Sequence, residues 1–262
     1  MDAAALAGLN SFGIFDVEAD RLDHFFAGLD AAGWAQPSRC AGWSVQDVLA
    51  HLAGAELYNH ACLNADLDGF RGMVRAAGIA GGYREFNEWC VRQRRGLPAA
   101  EVLAEWREAN GETRQRLTEL GRDAPLLTAA GPYPAGLQAF HCSSDYATHA
   151  DDVGAPVAPG EEPGRTAWRV SVGRFALDEQ NSPVKVSTAQ RQLLVHLGSE
   201  AAELSPADFV AATVGRLPPG YPLDPGLRDA LRCLALRPSP GRAAVSPPGR
   251  AAISPPGRGG AG

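Results

Sequence analysis

PSRCAGWSVQDVLAHLAGAELYNHA, residues 37–61, is the stretch from which the rest of the chain can be read. Ser44 is a good helix N-cap and Asp47 stands at the third helical position, so a helix begins at Ser44 or Val45. Val45, Val48, Leu49 and Leu52 recur at helical spacing and mark the face that packs inward. At 100° per residue His51 lies about 100° from the centre of that stripe, at the border of core and solvent, where a side chain can point into a cleft between helices. His60, nine residues on, lies roughly 180° around from His51, so the two cannot serve one site from one helix.

Working outward, Phe15, Leu22, Phe25, Phe26 and Leu29 predict a preceding helix that ends before Gly33 and Pro37. Residues 69–96 read as shorter helix around YREFNEWCVRQRR. Pro98 opens a long amphipathic helix with Val102, Leu103, Trp106, Thr113, Leu117 and Leu120 on one side. The stretch AAGPYPAG breaks the pattern before a further helix over 137–153. These are the four principal helices of a bundle. Beyond them the sequence predicts a helix around Trp168 to Glu179, strands at VKVS and QLLVHL, and a capped helix from near Ser205. The end repeats SPPGRAA and is too poor in apolar residues to form a core. The expected organisation is therefore mainly α: a bundle over 10–160, a small α/β appendage over 161–236, and a disordered Pro/Gly/Arg-rich tail over 237–262.

Composition narrows the function. The chain has 262 residues, 45% hydrophobic and 21% charged, as in ordinary soluble domains. The net charge is −6, and removing the four tail arginines leaves a body near −10 that would repel phosphate backbones, so nucleic acid is not an expected ligand. No apolar run suits a membrane helix and the first residues do not resemble a signal peptide, which predicts a cytoplasmic protein. Five widely spaced cysteines imply neither a disulfide framework nor a zinc ribbon. GRGGAG at 257–262 matches a dinucleotide fingerprint in letters only, since no strand precedes it and no helix follows.

The helix over 137–153 carries His141, Asp145 and His149, spaced by four and four, along nearly one stripe. Residues four apart are about 6 Å apart along the axis, whereas His141 and His149 are about 12 Å apart. Only one adjacent pair can hold one ion, and a catalytic zinc normally takes three protein ligands. A third ligand has to come from another helix, where either His51 or His60, but not both, is available.

PSRCAGWSVQDVLAHLAG followed by SDYATHADDVG resembles the mycothiol-dependent maleylpyruvate isomerase family, a branch of the DinB-like metal-binding four-helix bundles. FNEWCVRQRRGLPAAEVLAEW and LSPADFVAATVGRLPPG are in its style, and the similarity runs from about Ile14 to Leu236. The resemblance implies a divalent metal, generally zinc, held by His51, Asp145 and His149. The family often has glutamate where this chain has Asp145, one methylene longer, and pairing of His141 with Asp145 is the alternative ligand set. Asp151 and Asp152 read as solvated charges at the helix end, with a supporting role for Asp152 as the alternative. Arg84, Asn87 and Arg94 are candidates for holding an anionic substrate.

The expected function is an enzyme that activates a low-molecular-weight thiol such as mycothiol for S-transfer to, or cis/trans isomerisation of, a small electrophile. Coordination to zinc deprotonates a thiol whose free pKa is near 8.5. No strong nucleophile stands out in the chain itself, in keeping with a thiol that supplies one. A metal-dependent hydrolase, with water in the open position, and a non-catalytic small-molecule binder are the two alternatives.

Overall fold

In the computed structural model residues 4–234 are described, and the tail expected over 237–262 lies outside them. After a short 3-10 turn (Ala4–Leu6), α1 (Ser11–Ala27), short α2 (Ala31–Trp34), α3 (Val45–Leu63), α4 (Leu67–Ala76), α5 (Gly82–Arg94) and α6 (Ala99–Leu120) follow in order. A hairpin, β1 (Pro125–Thr128) and β2 (Gly131–Pro134), leads into α7 (Ala135–Val153) and then α8 (Glu162–Glu179). Strands β3 (Lys185–Ala189), β4 (Gln192–Leu197) and β5 (Glu200–Leu204) precede α9 (Pro206–Thr213) and α10 (Pro225–Leu231). The fold is mainly helical, a helix bundle with a small antiparallel sheet near the C-terminus. No described helix is long and apolar enough to cross a membrane.

The bundle packs α1 against α7 and α3 against α6. Its core is built from the periodic residues, among them Phe15, Leu22 and Phe26 of α1, Val48, Leu49 and Leu52 of α3, and Trp106 of α6. α3 begins as the sequence predicts: the Ser44 side chain accepts from the Asp47 amide and the Asp47 carboxylate from the Ser44 amide. Arg95 adds two hydrogen bonds to that carboxylate, at 2.9 and 3.1 Å. Burial pushes the Asp47 carboxyl up, but the Arg95 hydrogen bond and the Ser44 amide outweigh it and hold it below the ordinary carboxylate range. Because the folded value is the lower one, the contribution is present above the unfolded pKa and lost as pH falls through the folded pKa. Asp47→Asn is therefore expected to cost about 1–2 kcal/mol at neutral pH. Urea titrations of both proteins should show the gap closing as pH falls below the ordinary carboxylate range.

Two further sets of contacts hold α5, α6 and α7 against α3. A side-chain methyl on Gly54 of α3 would lie 2.3 Å from Cys90 Cβ, so glycine there lets α5 approach α3 closely. In the bundle interior the Glu56 carboxylate accepts from Asn59 (2.9 Å), Asn110 (3.1 Å), Thr113 (2.6 Å) and Tyr146 (2.7 Å). Those donors are all neutral, and they tie α3 to α6 and α7.

The structure departs from the sequence reading in several places. AAGPYPAG is not a plain break: its first six residues and the four before them form the β1–β2 hairpin, and α7 starts at Ala135. The proline-rich hairpin lacks the alternation that marks a strand. Residues 69–96 contain two helices, α4 and α5, parted around Gly78, whose φ of +73° suits glycine. α8 begins six residues before Trp168, and β5 joins the two expected strands in the order β3-β4-β5. α2 and α10, each at most seven residues long, are too short to leave a periodic signal.

Candidate metal centre

α3 delivers His51 and α7 delivers Asp145 and His149 to one spot at the edge of the bundle. Asp145 lies between the two imidazoles, with Oδ2 3.9 Å from His51 Nε2 and Oδ1 3.5 Å from His149 Nε2. One donor atom from each of the three residues lies within 4.8 Å of the others. The shorter aspartate side chain thus still reaches both histidines. Both imidazoles are buried, while the Asp145 side chain is 49% exposed and opens the group to solvent.

The electrostatics separate the two histidines. Burial, reinforced by His149, depresses His51 to about 4 and leaves it neutral at physiological pH. Its Nδ1 is buried without a hydrogen-bond partner. For His149 burial again disfavours charge, but Asp145, the Asp152 hydrogen bond and Cys40 outweigh it and raise the value to about 10. The two carboxylates flanking His149 thus favour positive charge there, carried by a proton in the metal-free protein and replaced at Nε2 by a cation when one binds.

His149 turns its other nitrogen to Asp152, Nδ1 lying 3.2 Å from Oδ2. Asp152 is 3% exposed and is not the solvated helix-end charge expected of it. Arg216, beyond α9, donates to both its oxygens at 2.8 and 2.7 Å, and the Cys40 thiol donates to Oδ2 at 3.2 Å. Burial opposes ionisation of Asp152, yet the Arg216 and His149 hydrogen bonds hold it well below the usual carboxylate range. Asp151 is also paired, with Arg165 at 2.7 Å and Arg169 at 2.6 Å.

A cavity of about 330 Å³ opens above the histidines, walled by Trp43, Arg84, Asn87, Thr148 and Arg216 among others. Trp43 packs on His51 with ring centroids 5.3 Å apart and donates from Nε1 to Glu88 at 3.1 Å. Arg84 and Asn87 line this cavity as a substrate role requires, but Arg94 does not. Arg94 is buried elsewhere on α5 by Gly54, donating to Glu105 at 2.9 and 2.6 Å and to the Cys90 carbonyl. Nor does His141 join Asp145. Eight residues before His149, it meets Glu179 of α8 at 3.0 Å and the Tyr133 hydroxyl at 3.1 Å. His60 contacts the Ala109 carbonyl at 3.0 Å.

With this geometry in place, the comparisons with known proteins are specific. The family model for the mycothiol maleylpyruvate isomerase N-terminal domain matches residues 15–154, which includes all three converging side chains. The chain belongs to this family. Two crystal structures of mycothiol-dependent maleylpyruvate isomerase, one of a histidine-to-alanine variant, are similar to it with a TM-score of 0.53. They are 16% identical over 79% of this chain and 88% of theirs, a likeness of fold. No curated protein sequence matches the chain.

The sequence reading missed Cys40, Trp43 and Arg216. Cys40 and Trp43 stand within the stretch that predicts α3, where the flanking loop offers no periodicity to read. Arg216 is 64 residues beyond Asp152, in a loop that only the tertiary fold brings back to α7.

Proposed function

We propose that this chain is an enzyme that holds a divalent cation between His51, Asp145 and His149 and activates a low-molecular-weight thiol such as mycothiol. The electrophile is a small anionic compound, maleylpyruvate being the first to test, and the outcome is thiol-assisted cis/trans isomerisation or S-transfer. The observation that carries this reading is the approach of three donor atoms to within 4.8 Å of one another beneath a cavity of ligand size. Two imidazoles and a carboxylate are a donor set suited to zinc with an open position.

Bound there, zinc would keep the sulfur of a thiol in its thiolate form at neutral pH, where a free thiol is only a few per cent ionised. The protein's own groups do the rest. Neutral His51 offers a lone pair without first losing a proton. Trp43 shields one side of the imidazole pair from water, and its bond to Glu88 holds the loop against α5. Arg84 and Asn87, one turn apart on α5, are placed to bind a carboxylate and orient the electrophile. On this reading residues 10–160 carry the metal centre, and the part beyond residue 160 closes one side of the cavity through Val214, Arg216 and Leu234.

Elemental analysis of protein purified without a histidine tag is expected to give one zinc per chain. Turnover of maleylpyruvate should require both the metal and mycothiol. Metal-dependent turnover of an ester or amide without any thiol would replace this reading with a hydrolase, and protein that neither retains nor takes up metal would end it.

A further inference from the structure

The Asp152 carboxylate is buried at the back of His149, away from the cavity, and every group around it is fixed. Oδ2 lies 3.2 Å from His149 Nδ1 and accepts from the Cys40 thiol at 3.2 Å. Arg216 donates from Nε to Oδ1 at 2.8 Å and from Nη2 to Oδ2 at 2.7 Å, a two-pronged contact that sets the plane of the carboxylate. The backbone takes part as well: the Asp152 carbonyl accepts from the Arg39 amide at 2.9 Å. Three separate segments are thereby locked around one side chain: the loop before α3, the last turn of α7 and the loop after α9. Gly154, at φ +76°, ends α7 two residues later.

Cys40, His149 and Asp152 also approach one another closely enough to hold an ion themselves. The guanidinium of Arg216 already supplies positive charge to that carboxylate, so a cation on this side would meet repulsion. The arrangement is that of a partner for the imidazole.

We propose that Asp152 is a positioning residue that keeps the proton of His149 on Nδ1 and so turns the Nε2 lone pair towards Asp145 and His51. The proposal rests on the reading of His149 as a metal ligand. An imidazole free to rotate or to place its proton on Nε2 offers no lone pair to the site. Partners of this kind typically contribute 10–100-fold in metal affinity.

The test is competition of zinc against a chromophoric chelator, using the full chain. Asp152→Asn is expected to weaken zinc binding about 10–100-fold. Asp152→Glu, which restores the carboxylate one methylene further out, is expected to bind zinc more tightly than the Asn variant. His149→Ala serves as the reference. If it binds zinc as wild type does, the metal-site reading fails. If it loses zinc while Asp152→Asn does not, the site stands and the positioning role is overturned, and the same holds if Asp152→Asn only lowers the melting temperature. Should the Asn variant not fold, long-range 1H–15N NMR of zinc-loaded wild type decides instead. A slowly exchanging proton on His149 Nδ1 with zinc on Nε2 is expected, and the reverse assignment overturns the proposal.

Discussion

Replacing His51 by alanine is expected to abolish stable zinc binding and to lower mycothiol-dependent turnover by about 10³-fold or more, roughly 4 kcal/mol of activation free energy. The reasoning is geometric. His51 is the only one of the three converging side chains that comes from α3, and without it Asp145 and His149 remain as an (i, i+4) pair on one helix with two donors. Two protein donors leave a zinc ion exposed to exchange, whereas three fix it with one position open. The fold should tolerate the change, since the Val48, Leu49 and Leu52 stripe of the core is untouched. His141→Ala is the control: its partners are Glu179 and Tyr133, so zinc content and turnover should stay within a few-fold of wild type. Equal turnover of wild type and His51→Ala would refute the metal mechanism.

The largest stability effect is expected at Glu56. Truncation to alanine would take away the acceptor shared by Asn59, Asn110, Thr113 and Tyr146 and leave donors orphaned in the interior. A hydrogen bond to a charged group contributes about 1.5–3 kcal/mol, and a buried donor left unpaired costs about 1–3 kcal/mol. These effects are not additive, and a net loss of about 3–5 kcal/mol is expected. For a chain of this size that lowers the melting temperature by on the order of 10 °C. Glu56→Gln keeps the volume but turns one acceptor into a donor facing other donors, and should fall between the two. The network also joins α3 to α7 through Tyr146, the residue after Asp145, so zinc affinity should decline with stability. A loss below 1 kcal/mol in Glu56→Ala would mean that the interior rearranges to satisfy the freed donors.

What could be read from the chain beforehand follows from how each signal is written. The start of α3 is local chemistry, a serine and an aspartate three residues apart, and the structure repeats it atom for atom. Asp145 and His149 are placed together by helical periodicity, and the family motif added His51, which periodicity alone had left at a border. The positive charge of Arg94 suits an anionic substrate and a plain exposed helix face is the alternative reading, but the structure buries the side chain. The sequence does not show that Gly54 lets this one sink between α3 and α5 to meet Glu105. Glu56 was invisible for the same reason. Its donors come from α3, α6 and α7, and only packing brings them together. The β1–β2 hairpin was hidden by its prolines, which sit on a two-stranded edge that does not need all of their amides.

The grip of Arg216 on Asp152 bears on how this protein can be trimmed. The family model ends at residue 154, a tempting place to cut for a minimal catalyst. A fragment ending there would keep every proposed ligand yet lose the Arg216 guanidinium that holds both oxygens of Asp152. Any attempt to graft the bundle onto a different partner would have to bring along a cation of equivalent reach.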